Sequence, residues 1–239
     1  GRVPFLPVVL WTDALVWGLV AAAAGLGWHC ARNEHLAAPW RRVFESRAAL
    51  AASVVLAAYL VVGLADSLHL RPRLDSKDAR ASAAYAVEVL SVLDLAVPHL
   101  RERSEKTYSA PLAMRLYARE TVETPDGRLL REFPRLRFGG AHLDSESDLA
   151  GDVAAKSLRA AALGFATWCF AAVLLCALLA HGRNMSIASC WSALWRDAPG
   201  VPWGTGLVAF GALLLVAFPL FSLSGGYHVF GTDKVGQDV

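Results

Sequence analysis

The sequence predicts a mainly α, polytopic membrane protein with about four transmembrane helices and a small α+β extracytoplasmic insert between the second and the third. Three observations carry this. Hydrophobic residues fill 55% of the 239 positions and charged ones only 18%, where soluble domains carry about a quarter charged residues; the mean hydropathy is +0.40. Four stretches run apolar for roughly the 20 residues that a hydrocarbon core of about 30 Å demands. Between the second and third stretches, residues 67–157 alternate polar and apolar positions as a folded soluble module does.

The first apolar segment is Pro7 to Cys30, interrupted only by Asp13, and the second is Ala48 to Ala65, bracketed by Arg47 and Asp66. The third, Ala160 to Ala180, and the fourth, Val201 to Leu223, contain no charge at all. Helices are expected throughout, because lipid offers no water to unpaired backbone groups. Pro4, Pro7 and Asp13 leave the first segment two readings, a full crossing or an interfacial or re-entrant piece. Asp13 is a candidate intramembrane carboxylate, since such residues are costly and commonly functional; near the segment start it equally reaches the headgroup region.

Sidedness follows from short loops, where Lys and Arg stay in the cytoplasm. Arg32, Arg41, Arg42 and Arg47 lie in loop 31–47, and Arg183 and Arg196 in loop 181–200, six basic residues against Arg2 and Lys234 on the opposite flanks. Both loops are therefore expected inside, and the insert and the terminal GTDKVGQDV outside. Trp11, Trp17, Trp28, Trp40, Trp191, Trp195 and Trp203 mostly fall near segment ends, where an amphipathic ring suits the interface.

Within the insert, Tyr85, Val89, Val92, Leu93 and Ala96 recur at helical spacing and predict an amphipathic helix over residues 79 to about 104, bent or shortened at Pro98. MRLYARETVE and RLLREF flank Thr124-Pro125-Asp126-Gly127, which predicts a β-hairpin with a proline-preset, glycine-relieved turn. The acidic run Asp144-Ser-Glu146-Ser-Asp148, with Asp152 beyond it, lacks the central glycine and terminal glutamate of a calcium loop and reads as a capped, solvated helix start.

Several functions are disfavoured. Cys30, Cys169, Cys176 and Cys190 form no CxxC or zinc spacing, seven histidines form no HExxH pair, and neither a nucleophile elbow nor a phosphate-binding glycine loop occurs. No metal site, cofactor or enzymatic activity is expected of this chain. A net charge of +2 without a basic, aromatic-interleaved tract points away from nucleic acid. The lipid bilayer is the one partner that composition alone implies.

The informative stretch is HVFGTDKVGQDV, residues 228–239. Glycine there permits tight turns and close backbone approach, while Thr232 or Asp233 is placed to cap a short helix beginning after Gly231; an ordinary helix-end turn is the plainer account of the same residues. His228, Gly231, Thr232, Asp233, Gly236, Asp238 and Val239 match seven of the eight fixed positions of a pattern His-x-x-Gly-Thr-Asp-x-x-Gly-Arg-Asp-Val. That pattern resembles the signature preceding the transport core in permease subunits of the dipeptide/oligopeptide/nickel family of ABC importers. Gln237 stands where the family has Arg. PWRRVFESRAALAASVVLAAYLVVGLAD, residues 39–66, is similar to the family's Trp/Arg-rich lead into its first helix.

The resemblance implies the N-terminal portion of a multi-pass permease of the bacterial inner membrane that passes peptides or similar small solutes. Implied with it are a second permease subunit, two ATPase subunits that use the ATP, and a periplasmic substrate-binding protein. Family permeases usually have one helix before the motif, so this chain looks like an extended variant, and the pathway-lining core and coupling loop would follow residue 239. Four regions are expected: membrane helices in 1–66, the insert 67–157, membrane helices in 158–227, and the start of the permease core in 228–239. A standalone membrane sensor or scaffold with a ligand- or protein-binding external domain is the alternative, in which the insert folds and binds by itself.

Overall fold

The computed structural model describes residues 5–73, 85–123, 129–196 and 200–239. Among these residues the chain is mainly helical, with two small sheets. It divides into two compact units, one of Gly1–Val97 with Arg183–Phe210, the other of Pro98–Gly182 with Gly211–Val239. Residues 67–97 and 98–157 of the insert thus belong to different units.

In the first unit, strand β1 (Phe5–Val8) leads into α1 (Trp11–Arg32), then α2 (Glu34–Glu45) and α3 (Arg47–Asp66). Helix α1 begins where Asp13 accepts the Leu10 backbone N–H at 3.0 Å, satisfying one of the donors that a helix start leaves open. It stops at Asn33, whose side chain donates to the His29 carbonyl at 2.9 Å. Strand β2 (His69–Pro72) pairs antiparallel with β1, Phe5 opposite Pro72 and Val8 opposite His69, and on its other side with β3 (Leu90–Ser91). Helix α7 (Ile187–Leu194), capped by Ser186, packs beside the start of α8 (Trp203–Ser224). A Cβ at Gly204 would stand 2.5 Å from the Leu194 carbonyl, so only glycine permits that approach.

The helix predicted over 79–104 is not continuous. Residues 79–84 lie outside those described; from Leu90 the chain forms β3, then α4 (Val92–Ala96) and α5 (Pro98–Glu102). Ser91 and Asp94 make a reciprocal capping box, Ser91 Oγ accepting from Asp94 N at 3.0 Å and Asp94 accepting from Ser91 N at 2.8 Å. That device starts a helix rather than continuing one, and Val97 leaves helical geometry because Pro98 follows it. Ladder pairing with His69 and Leu70 claims Ser91 and Leu90, and Tyr85 bridges to Arg73, so of the periodic residues only Val92, Leu93 and Ala96 lie in a helix.

In the second unit, β4 (Glu120–Glu123) and β5 (Leu129–Glu132) form the predicted hairpin, Glu120 opposite Glu132 and Glu123 opposite Leu129; the turn 124–127 lies outside the described residues. Met114, Leu116, Leu136 and Tyr227 are buried and make a small core beside it. After a 3₁₀ turn at Glu146–Asp148 capped by Ser145, α6 runs unbroken from Leu149 to Arg183. Its 35 residues measure about 52 Å at 1.5 Å each, so the polar turns 149–159 precede the uncharged stretch by which it would span. Gly164 and Gly211 bring α6 and α8 together: an added Cβ would meet the Leu214 carbonyl at 3.2 Å and the Trp168 indole at 2.9 Å. Small residues serve this purpose where lipid removes the hydrophobic drive between helices.

Among the described residues four helices, α1, α3, α6 and α8, are long and apolar enough to cross a membrane. They match the four apolar segments within a few residues at most ends, α6 alone extending well beyond its segment. Their apolar side chains are largely exposed on all sides, Trp11, Leu56 and Phe170 among them, as a helix that faces lipid requires. Helices α2 and α7 fall within 31–47 and 181–200, where the sequence predicts loops.

Candidate functional site

The terminal motif folds into a closed buckle against residues 104–112. Helix α8 ends at Ser224, and the Gly226 and Tyr227 N–H groups both return to the Leu223 carbonyl at 2.9 Å, so the chain turns sharply and buries Tyr227 and His228. His228 then lies between two carboxylates: Nδ1 is 2.5 Å from Asp238 Oδ1 and Nε2 is 3.2 Å from Glu105 Oε1. The three side chains are 2%, 13% and 5% exposed. Both ring nitrogens donate only when the imidazole carries two protons, and in that state both contacts are charge-assisted. Glu105 has further support, Oε1 accepting the Phe138 N–H at 2.7 Å and Oε2 the Arg137 N–H at 3.0 Å.

Each remaining motif residue has a distinct task. Gly231 (φ +85°) and Gly236 (φ +78°) adopt left-handed backbone, and a Cβ would lie 2.3 Å from the Ser109 carbonyl and 1.8 Å from the Glu105 carbonyl respectively. Thr232 Oγ1 donates to the Thr107 carbonyl at 2.8 Å and contacts Ser109 Oγ at 3.1 Å. Asp233 Oδ1 accepts the Val235 and Gln237 N–H groups, each at 2.9 Å. No helix follows Gly231: Thr232 reaches across to another segment, and Asp233 closes an Asx-type turn instead of capping a helix. Gln237 takes part through its backbone and leaves its side chain exposed. Backbone bonds complete the closure, Glu105 N to Gly236 O at 2.7 Å and Leu112 N to His228 O at 2.9 Å. Leu112, at φ 56°, is one of two non-glycine residues with positive φ among those described, a conformation that persists only where its surroundings enforce it.

A second polar cluster adjoins the buckle. Asp152 Oδ2 receives Tyr227 OH at 2.5 Å and faces Lys156 Nζ and His142 Nε2, each at 2.8 Å. The Lys156 ammonium foremost, then the Tyr227 and His142 hydrogen bonds, hold the Asp152 carboxyl well below the usual carboxylate range. Burial foremost, then the Asp152 carboxylate, pushes the Tyr227 phenol above the ordinary tyrosine range. Asp152, expected at a solvated helix start, does sit in the first turn of α6 but is tied into this cluster.

Asp13, in the first unit, is buried and pairs with His69 Nδ1 at 2.9 Å while also holding Leu10 N–H. It fastens the start of α1 to β2. The structure thus gathers His228, Gly231, Thr232, Asp233, Gly236 and Asp238 into one feature and keeps Asp13 in the other unit. Sequence reasoning missed Glu105, Thr107 and Ser109, which carry no local signal at 123 to 125 positions from their partners. The chain matches no protein-family model, no curated protein and no solved structure.

Proposed function

We propose that this chain contributes to the membrane-embedded translocation unit of a binding-protein-dependent importer for peptides or similar small solutes in a bacterial inner membrane, the 228–239 buckle forming its external rim. One observation supports the reading above the others: six motif residues at fixed spacing each perform a task that few other residue types perform, and together they fix how the chain leaves α8. A closed turn held by side chains at this many positions is what a rim against which a soluble binding protein docks would need. The basic residues of 31–47 and 181–200 support a cytoplasmic side for α2 and α7, and with it an external buckle. ATP is consumed by two partner ATPase subunits, and a second permease subunit completes the pathway.

The test is purification of the tagged protein from its native membranes in mild detergent. Stoichiometric recovery of an ATPase and a second polytopic subunit, with ATP-dependent peptide uptake after reconstitution with the binding protein, is the expected result. Recovery without any ATPase, together with unchanged peptide uptake in cells lacking the gene, overturns the proposal.

A further inference from the structure

We infer that α2 lies flat in the membrane interface and, with α1, forms a binding groove for one anionic phospholipid. The covalent geometry comes first. Asn33 alone joins α1 to α2 and Ser46 alone joins α2 to α3, so a 12-residue helix, about 18 Å long, connects the ends of two helices of membrane-crossing length. That position is the bilayer surface. The side chains fit it: Leu36, Trp40, Val43 and Phe44 fall on one face and Glu34, His35, Arg41, Arg42 and Glu45 on the other. No residue of α2 is buried, and Trp40 and Phe44 are 54% and 40% exposed. A helix with a wide apolar face, aromatic anchors and arginines opposite is the form that rests in a headgroup layer.

Between α2 and α1 lies an apolar groove of about 1000 Å³, walled by Leu26, Gly27 and Cys30 of α1 and by Trp40 and Phe44 of α2, with Trp203 at its end. Arg41 stands on its rim beside Glu45. Among the described residues, no ion pair engages Arg41 or Arg42. An apolar trough with the Arg41 guanidinium at its polar lip matches a phospholipid whose acyl chain fills the trough and whose phosphate meets Arg41, Arg being suited to bidentate phosphate contact, while Arg42 adds positive charge on the adjoining polar face. Juxtamembrane arginines also favour anionic over zwitterionic lipid.

The experiment reads bound lipid by native mass spectrometry of the full chain, released from membranes containing phosphatidylglycerol and phosphatidylcholine. The wild-type protein should retain one tightly held lipid, with phosphatidylglycerol preferred. Arg41→Gln with Arg42→Gln should lower that preference about 25-fold, about fivefold per arginine, while Arg41→Lys with Arg42→Lys keeps most of it. Gly27→Phe, which projects a ring from a helix position with nothing within 4 Å, should remove the retained lipid of either headgroup. Equal retention and equal headgroup preference in all four proteins overturns the inference, as does retention of phosphatidylcholine alone by the wild type.

Discussion

Replacing His228 by Leu tests whether charge, and not shape alone, closes the buckle. The two side chains are near in size, so the change removes the bridge between Glu105 and Asp238 with little cavity. Taking one partner from a buried ion pair costs about 3–5 kcal/mol, because the other charge stays behind uncompensated. Glu105 would keep the Arg137 and Phe138 N–H groups, and Asp238 is 13% exposed, which places the loss at the lower end, about 3 kcal/mol. At 1.4 kcal/mol per factor of ten, hydrogen-exchange protection of the amides that cross the buckle falls about a hundredfold. Those amides are Glu105, Leu112 and Thr232, which donate to Gly236, His228 and Ser109. The measurement is exchange followed by mass spectrometry on peptides covering 104–113 and 228–239, with α6 peptides as the internal reference. Wild-type protection at all three amides in the Leu variant would refute the electrostatic account. Adding Glu105→Gln to the variant should cost less than the sum of the single changes, since the second removes a charge the first has stranded.

Gly236→Ala should lower the same protection at least tenfold, from about 1–2 kcal/mol for left-handed backbone together with forced displacement of the Glu105 carbonyl; Gly63→Ala, in open space within α3, should leave it unchanged. The Tyr227 phenol is raised above its ordinary value of 10.0, so its stabilisation is full below pH 10 and is lost as the pH rises beyond. Melting temperatures in detergent should show an alkaline decline that Tyr227→Phe abolishes. Asp152 is lowered from 3.8, so its stabilisation is present above that pH and is lost as the pH falls below it, a decline that Asp152→Asn should remove. Gly211→Leu should destabilise the protein by about 1–3 kcal/mol through overpacking against Trp168, read as a lower melting temperature of the purified chain.

What the sequence made readable was set by the solvent of each region. Lipid obliges each crossing segment to satisfy its own backbone and to expose apolar side chains everywhere, so α3 and α8 follow from uninterrupted apolar length and α1 from a stretch that Asp13 alone interrupts. Helix α2 is hidden in the sequence, where Pro39 and the paired arginines read as loop although Leu36, Trp40 and Val43 keep helical spacing. In the insert, the periodicity of Tyr85 to Ala96 was real but subordinate to ladder pairing with β2 and to the Ser91–Asp94 box. The hairpin was readable because its turn and its strands agree locally. The buckle was half readable: the glycines announce tight turns, whereas Glu105 is an unremarkable acid until His228 is placed against it.

The pairing of Glu105 with His228 also keeps a record of how the chain was threaded. Helices α6 and α8 lie between the two residues in sequence, and residues 3.2 Å apart stand on one side of the bilayer only when the number of crossings between them is even. Were either helix left uninserted, about 30 Å of hydrocarbon would part the carboxylate from the imidazole. Glu105 is made 123 positions before His228, hence roughly 6 to 25 s earlier at 5–20 residues per second. For that interval residues 104–112 have no counterpart to close upon. The contact awaits His228, and it can form with both intervening helices across a bilayer or with neither, but not with one alone.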